Sequence, residues 1–398
     1  MLSFEKKIAL VIEKNLKYIF FGLCIGLSLF IRLSTFNFIS SDMEGYLLGW
    51  FGQIEQLGGF KALNTQVGNY SVLYQTLIAI MTYIPLNPVY QYKILSIVFD
   101  YALASGVALT VYELTKRKSA GYIAFAITVF SPLVFINSAV WGQCDSIYCA
   151  LAVWSLYFFI KEKYPLPFIL FGLSFSFKLQ AVFLLPFYLF AYIRKKSFSI
   201  FNFLIIPATM EAVCIPAMIM GRSFKAAFST YYYQTGSCDK MYFSYPSFWS
   251  IFSVHGETGT IHKYIESFKI PAVVLTFTVL ACMMVFLGMK KITLNSRFII
   301  YTAFAFVYTC VLFLPGMHER YGFLYEILAI ITVFLIPKTL PLLISLLCLS
   351  LITYGSNLLY NIDVNSVMGT VNFAVYLAYL FLFFREITKA PSGNAVNE

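Results

Sequence analysis

Charge is scarce in this sequence. Only 12% of its 398 residues are Asp, Glu, Lys or Arg, about half the roughly 25% of a soluble globular protein. With 60% hydrophobic residues and a mean hydropathy of +0.78, that shortage excludes an ordinary water-soluble domain and describes a polytopic membrane protein. Histidine is nearly absent, with 3 residues, and none of the 8 cysteines forms a Cys-x-x-Cys pair. Zinc-ligand spacing is therefore missing, and cysteines inside apolar runs read as small hydrophobes. No G-x-x-x-x-G-K-[ST] loop is present, so no nucleotide phosphate is cradled that way. Lys6, Lys7, Lys14 and Lys17 precede an apolar run with no small-residue cleavage site behind it, which predicts a signal anchor. Internal repeats and low-complexity segments are also lacking.

What the chain has instead is aromatic surface: 42 Phe and 29 Tyr bring Phe, Trp and Tyr to 19%, suited to lipid-facing and interfacial positions. The formal charge of +10 comes from cations at the ends of apolar runs, as the positive-inside rule expects, and implies no nucleic acid.

The stretch from Ser41 to Phe60 stands apart. It carries Asp42, Glu44 and Glu55 without a cation, between two apolar regions. Tyr46, Leu47, Trp50, Phe51, Ile54 and Leu57 recur at helical spacing, and Gly58-Gly59 is a stop. The pattern predicts an amphipathic helix on the membrane surface with Asp42 and Glu44 at its entrance. The plain alternative is that Asp42 only caps it.

Alternating the cationic clusters across a bilayer predicts an all-α protein of about twelve spans with both termini cytoplasmic. Residues 1–17 form a basic cytoplasmic segment and a first helix covers 18–34. A long external loop, 35–93, includes a second surface helix at 71–84, too short to span. Helices come next at 94–114, 120–138 and 146–160, then a hairpin at 166–193 with Lys178 and Gln180 at its tip. After a helix at 198–219, a second external loop covers 220–267; its His255 and His262 read as plain surface histidines. Helices at 269–289, 298–314, 322–337, 340–357 and 366–384 complete one integral domain.

This threading brings four polar clusters to one membrane face: Asp42/Glu44, Gln143/Asp145, Lys178/Gln180 and His318/Glu319/Arg320. Each has a plain reading. Trp141-Gly142-Gln143 would make an interfacial turn, Lys178 would snorkel, and Glu319-Arg320 would be a structural ion pair. Jointly they suit glycosyl transfer from a lipid-linked sugar phosphate. A carboxylate takes the proton of an acceptor hydroxyl, and cations neutralise the departing phosphate. Asp42 fits the first role; Arg320, His318 and Lys178 fit the second.

The ordered set Asp42 with Tyr46-Leu47-Leu48, Gly58-Gly59-Phe60-Lys61-Ala62-Leu63, Trp141 to Ser146, Phe177-Lys178-Leu179-Gln180 with Pro186, Tyr233-Gln234, and Met317-His318-Glu319-Arg320-Tyr321 resembles the GT-C superfamily of integral-membrane glycosyltransferases. Within it, the chain is similar to bacterial relatives of the mannosyltransferase that adds the second mannose in GPI-anchor assembly. The resemblance covers about residues 40–325 and implies a GT-C fold with two surface helices in the first external loop. It implies an inverting hexosyltransferase of a bacterial plasma membrane, working on the extracytoplasmic side with a polyprenyl-phosphate sugar as donor. The acceptor would be a glycan, a glycolipid or a lipid-linked intermediate. Asp42 would be the base, Asp145 would assist it or bind acceptor, and Lys178, His318 and Arg320 would hold donor phosphate. Glu44, Trp141, Gln143, Gln180, Tyr233, Gln234, Glu319 and Tyr321 would bind substrate. Four acids on one face would suit a divalent metal, but the related enzymes generally work without one and no cofactor is expected. The sequence departs from its relatives after Asn69-Tyr70, where Ser71-Val72-Leu73 replaces a Pro-rich step. The rivals are a transporter or lipid-linked-sugar flippase, with ionisable groups near the midplane of matching halves, and a non-catalytic glycan- or lipid-binding subunit.

Overall fold

Apolar runs without water to satisfy their backbone must pair N–H with C=O internally, and a helix does this within one segment. The computed structural model, which describes residues 2–236, 239–253, 261, 264–290, 292, 294–360 and 366–389, is accordingly almost all helix. His255 and His262 lie outside the described residues.

The helices are α1 (Ser3–Leu33), α2 (Leu48–Gln56), α3 (Val72–Met81), α4 (Pro88–Thr115), α5 (Lys118–Phe130), α6 (Pro132–Phe135), α7 (Asp145–Ile160), α8 (Leu166–Phe177) and α9 (Leu185–Lys195). They continue with α10 (Asn202–Ala212), α11 (Ile215–Ile219), α12 (Ala226–Gly236), α13 (Ile265–Met289), α14 (Ser296–Phe313), α15 (Phe323–Leu335), α16 (Leu340–Gly355) and α17 (Ser366–Lys389). Two short strands, β1 (Tyr242–Phe243) and β2 (Met317–His318), pair in parallel. Six described helices are long and apolar enough to cross a membrane, or seven if the bent pair Lys118–Phe130 and Pro132–Val140 is one span. The length rule thus accounts for fewer spans than the twelve expected; α3, α7, α8 and α15 are shorter apolar helices.

Several boundaries differ from expectation for local reasons. The expected basic segment and first span are one helix, α1, because no Gly or Pro interrupts Ser3–Phe21 and Lys and Glu are good helix formers. α4 begins six residues early, where the Asn87 side chain caps the Val89 N–H and Pro88 takes the first turn. The expected helix 120–138 bends by 44° at Ser131-Pro132, where proline removes a donor and clashes with the preceding turn. The expected helix 198–219 is two pieces, α10 and α11, parted just before Pro216.

The expected hairpin at 166–193 is present as α8, a tight turn at Leu179–Leu184, and α9. Its ends return together: the Tyr164 ring stacks on Phe198 at 5.0 Å, and Phe168 meets Tyr188 at 5.5 Å. At the core, α14 is buried on every face from Phe298 to Phe313, as a helix apolar all round must be.

In the first loop, α2 follows the expected apolar stripe, with Phe51 and Ile54 buried and Gly58 at φ 89° ending it. The second loop helix, α3, packs on the rest of the loop and on α8. Tyr74, Gln75 and Ile78 are buried, and the Gln75 amide donates to the Ala62 and Thr65 carbonyls at 3.0 and 2.9 Å. This pins the turn at Gly59–Asn64 beneath it.

Candidate functional site

Two single π-turns flank the site. Met43–Leu47 begins directly after Asp42, and Ile136–Val140 ends directly before Trp141. Such turns insert a residue into the helical ladder and re-aim the side chains next to them, and they recur at functional sites. Gly142 then takes φ +75° with its missing Cβ against the Met43 side chain, so the two segments approach as only glycine allows. Ser40 donates to the Trp141 carbonyl at 2.8 Å across the same contact.

The Asp42 carboxylate is held at this junction. Its Oδ2 accepts from Trp141 Nε1 at 3.0 Å and from Gln143 Nε2 at 2.7 Å, and lies 3.4 Å from Arg320 Nη2. Gln143 Oε1 in turn accepts from the Tyr70 hydroxyl at 2.9 Å. Asp42 keeps 29% of its side chain exposed, so it is fixed in direction yet reachable.

Arg320 is fixed from two further sides. Its Nε donates to Glu319 Oε1 at 2.8 Å, and its guanidinium lies over the Trp141 ring at 5.0 Å. Its Nη1 is buried with no hydrogen-bond partner. A charged donor so placed carries an unmet desolvation cost that an anion in the site would offset.

Lys178, at the end of α8, is buried and bonded to Asp145 Oδ1, between the Tyr70 and Tyr148 rings. Asp145 Oδ2 accepts from Asn137 Nδ2 at 2.8 Å. Asp145, expected to assist the base or bind acceptor, therefore has both oxygens occupied and no exposure. Its geometry is that of an anchor for Lys178.

A cavity of about 430 Å3 opens beside these groups. Its lining mixes polar side chains, among them Tyr70, Lys178, Gln180, Lys269, His318, Arg320 and Tyr321, with apolar ones such as Val182, Phe183, Val273 and Leu314. Arg320 lines the cavity, and Asp42, 3.4 Å from Arg320 Nη2, is not among the lining residues. Gln180 is 6% exposed, with its Oε1 unpartnered, and Gln234 lines the cavity. His318 stacks on Phe243 at 4.4 Å, through the pairing of β1 with β2, and lies 3.8 Å from Glu319. Although 37% of that side chain is exposed, desolvation by its neighbours lowers the imidazole pKa below its ordinary 6.5, with Glu319 opposing. The lowered pKa favours the neutral imidazole of His318 in the absence of a bound anion.

The expected residues therefore meet, with two exceptions. Glu44 is exposed and bonds to none of the cluster. Tyr233 is 72% exposed; the buried member of that run is Tyr231, stacked on Phe175 at 5.2 Å. Sequence reasoning also missed a buried support. Asp100 accepts from Arg32 Nε and Nη2 at 3.0 and 2.9 Å, from Ser138 at 2.6 Å and from Ser146 at 2.5 Å. It so clamps both ends of the segment bearing Trp141, Gln143 and Asp145. Lys93 donates to the carbonyls of Thr35, Phe36 and Phe38 at 2.8, 3.0 and 2.7 Å, fixing the chain that leads to Asp42. The signal available was an ionisable residue inside an apolar helix, which is functional or paired by default. Among the described residues, no three His, Cys, Asp or Glu side chains converge as a metal-binding group.

No protein-family model matches the chain. It is 29% identical over 106 residues to GPI mannosyltransferase 1 of Saccharomyces cerevisiae, a match covering 26% of each chain. The chain thus spans about a quarter of that relative's length. The relative matched is a GPI mannosyltransferase, as is the second-mannose enzyme whose relatives the motifs resemble. The likeness is distant, and at its coarsest it is a likeness to a membrane glycosyltransferase.

Proposed function

We propose that this chain is a GT-C membrane glycosyltransferase that moves a hexose from a polyprenyl-phosphate sugar to an extracytoplasmic glycan, glycolipid or lipid-linked acceptor. The observation that carries the reading is the Asp42–Arg320 pair. A carboxylate held by Trp141 and Gln143 stands 3.4 Å from a guanidinium with a spare buried donor. Beside it lies a cavity lined by the cations Lys178, Lys269 and Arg320 together with apolar side chains. A lipid-linked phosphate needs both kinds of lining, cations for the anion and apolar side chains for the tail. The partial likeness to a yeast mannosyltransferase supports the same class.

In this reading the donor lies in the cavity and the acceptor approaches Asp42 from its exposed side. Asp42 removes the hydroxyl proton, and the acceptor oxygen forms a bond to the anomeric carbon. The bond from that carbon to the phosphate oxygen breaks, and its electron pair leaves with the phosphate. Arg320 and Lys178 offset the growing negative charge, and His318 donates a hydrogen bond. One displacement inverts the anomeric centre. About twelve spans, cytoplasmic termini and a site facing out of a bacterial plasma membrane belong to the same proposal. A transporter or flippase, or a binding subunit, would not need the four clusters within hydrogen-bond reach of one another.

The test supplies purified chain, in membranes containing endogenous acceptors, with labelled polyprenyl-phosphate hexoses and, separately, with nucleotide hexoses. Transfer of label from a lipid donor alone is the expected result. Transfer from nucleotide sugars, or none from any lipid hexose, overturns the reading.

A further inference from the structure

At the opposite end of the bundle, α1, α4 and α5 leave a second groove of about 670 Å3. Phe21, Ile25, Tyr101, Tyr112, Tyr122 and Phe125 are among the residues lining it. Its floor lies where α4 and α5 approach most closely: a Cβ on Gly121 would stand 3.0 Å from the Ala108 carbonyl oxygen. Its walls face outward, with Ile25 39% and Tyr112 37% exposed.

The groove is charged at one end only, where Lys118 lines it and Arg117 adjoins. Both are exposed, and neither forms an ion pair among the described residues; the nearby Glu113 is taken up by Lys116 and Lys161. The position along the membrane normal is set by α4. Lys93, which grips the loop leading to Asp42, and Thr115 lie 22 residues apart on one helix. At 1.5 Å per residue that is about 33 Å, the full hydrocarbon thickness. Arg117 and Lys118 therefore sit at the face opposite Asp42, at headgroup depth.

An apolar trough ending in two uncompensated cations at headgroup depth complements one kind of molecule. We propose that this groove binds an anionic phospholipid, with an acyl chain along α1 and α5 and its phosphate against Arg117 and Lys118. Juxtamembrane cations attract anionic lipid by about 1 kcal/mol each, so two of them favour it over a zwitterionic lipid by roughly 10- to 30-fold. A neutral lipid would fill the trough without preference, and a second protein helix would need no phosphate.

The experiment exposes the full-length chain in detergent to equimolar phosphatidylglycerol and phosphatidylcholine and counts retained lipids by native mass spectrometry. The expected result is phosphatidylglycerol retained at least about tenfold over phosphatidylcholine. R117Q/K118Q, a surface change that spares the core, should bring the ratio near one. A ratio near one in the unaltered chain, or one unmoved by R117Q/K118Q, overturns the proposal. So does a chain that loses both lipids and dimerises through this face.

Discussion

Asp42→Asn replaces one carboxylate oxygen by an amide nitrogen with almost no change in volume. The atom at stake is Oδ2, which accepts from Trp141 at 3.0 Å and Gln143 at 2.7 Å and faces Arg320 at 3.4 Å. The asparagine carbonyl oxygen can accept both hydrogen bonds, so the junction between the two π-turns should survive. The fold loses little: the carboxylate is 29% exposed, and an ion pair that solvent screens contributes less than about 1 kcal/mol. Chemistry loses much more. A positioned base contributes about 10²–10⁴-fold, equivalent to roughly 3–5 kcal/mol in the barrier at 1.36 kcal/mol per decade. The assay is the initial rate of transfer from a short-chain polyprenyl-phosphate hexose, with the thermal midpoint measured on the same preparation. A kcat within about tenfold of the unaltered protein at an unchanged midpoint would remove Asp42 from the role of base.

Arg320→Lys should raise the donor KM by about tenfold or more while leaving the charge in place, because lysine supplies neither the fork nor the flat face over Trp141; an unchanged KM would show that only the charge matters. Lys178→Met should destabilise the protein by about 3–5 kcal/mol by leaving Asp145 buried and unpaired. The double variant Lys178→Met/Asp145→Leu should regain most of that thermal stability yet stay inactive, and a double variant as unstable as the single one would refute the pairing. His318 should weaken the fold in acid. Because its folded pKa lies below 6.5, the unfolded chain takes up the proton first, so stability is complete above about pH 6.5 and falls as pH drops toward the folded value. The thermal midpoint of the unaltered protein should therefore fall more between pH 7 and 5.5 than that of His318→Gln; equal slopes would place the titration elsewhere.

Particular residues show where sequence reading succeeds. Asp42, Gln143, Lys178 and Arg320 are visible because polarity at the edge of apolar runs is costly unless it is used. Glu44 and Tyr233 are drawn in by proximity alone. Successive helical residues turn by about 100°, so Glu44, two positions after Asp42, points away from it. Tyr233 likewise lies opposite Tyr231, while Gln234, three positions after Tyr231, returns to the same side. Asn137 carries no charge, and nothing in its neighbourhood marks it as the partner of Asp145. The Arg32–Asp100 pair joins residues 68 apart, a distance no local pattern spans.

By itself the sequence determined that the chain lives in a membrane, that it is helical, where most helices stop, and which polar residues lie at their ends. Those outcomes come from local terms: apolar length, helical period, and the turns that glycine and proline enforce. The tertiary structure alone decided that Asp42 faces Arg320, that Asp145 is taken up by Lys178 and Asn137, and that His318 is stacked on Phe243. Each of these depends on which helix ends come within a few ångströms of one another. That is set by packing across the whole bundle, where an inserted π-turn or a missing Cβ re-aims a side chain.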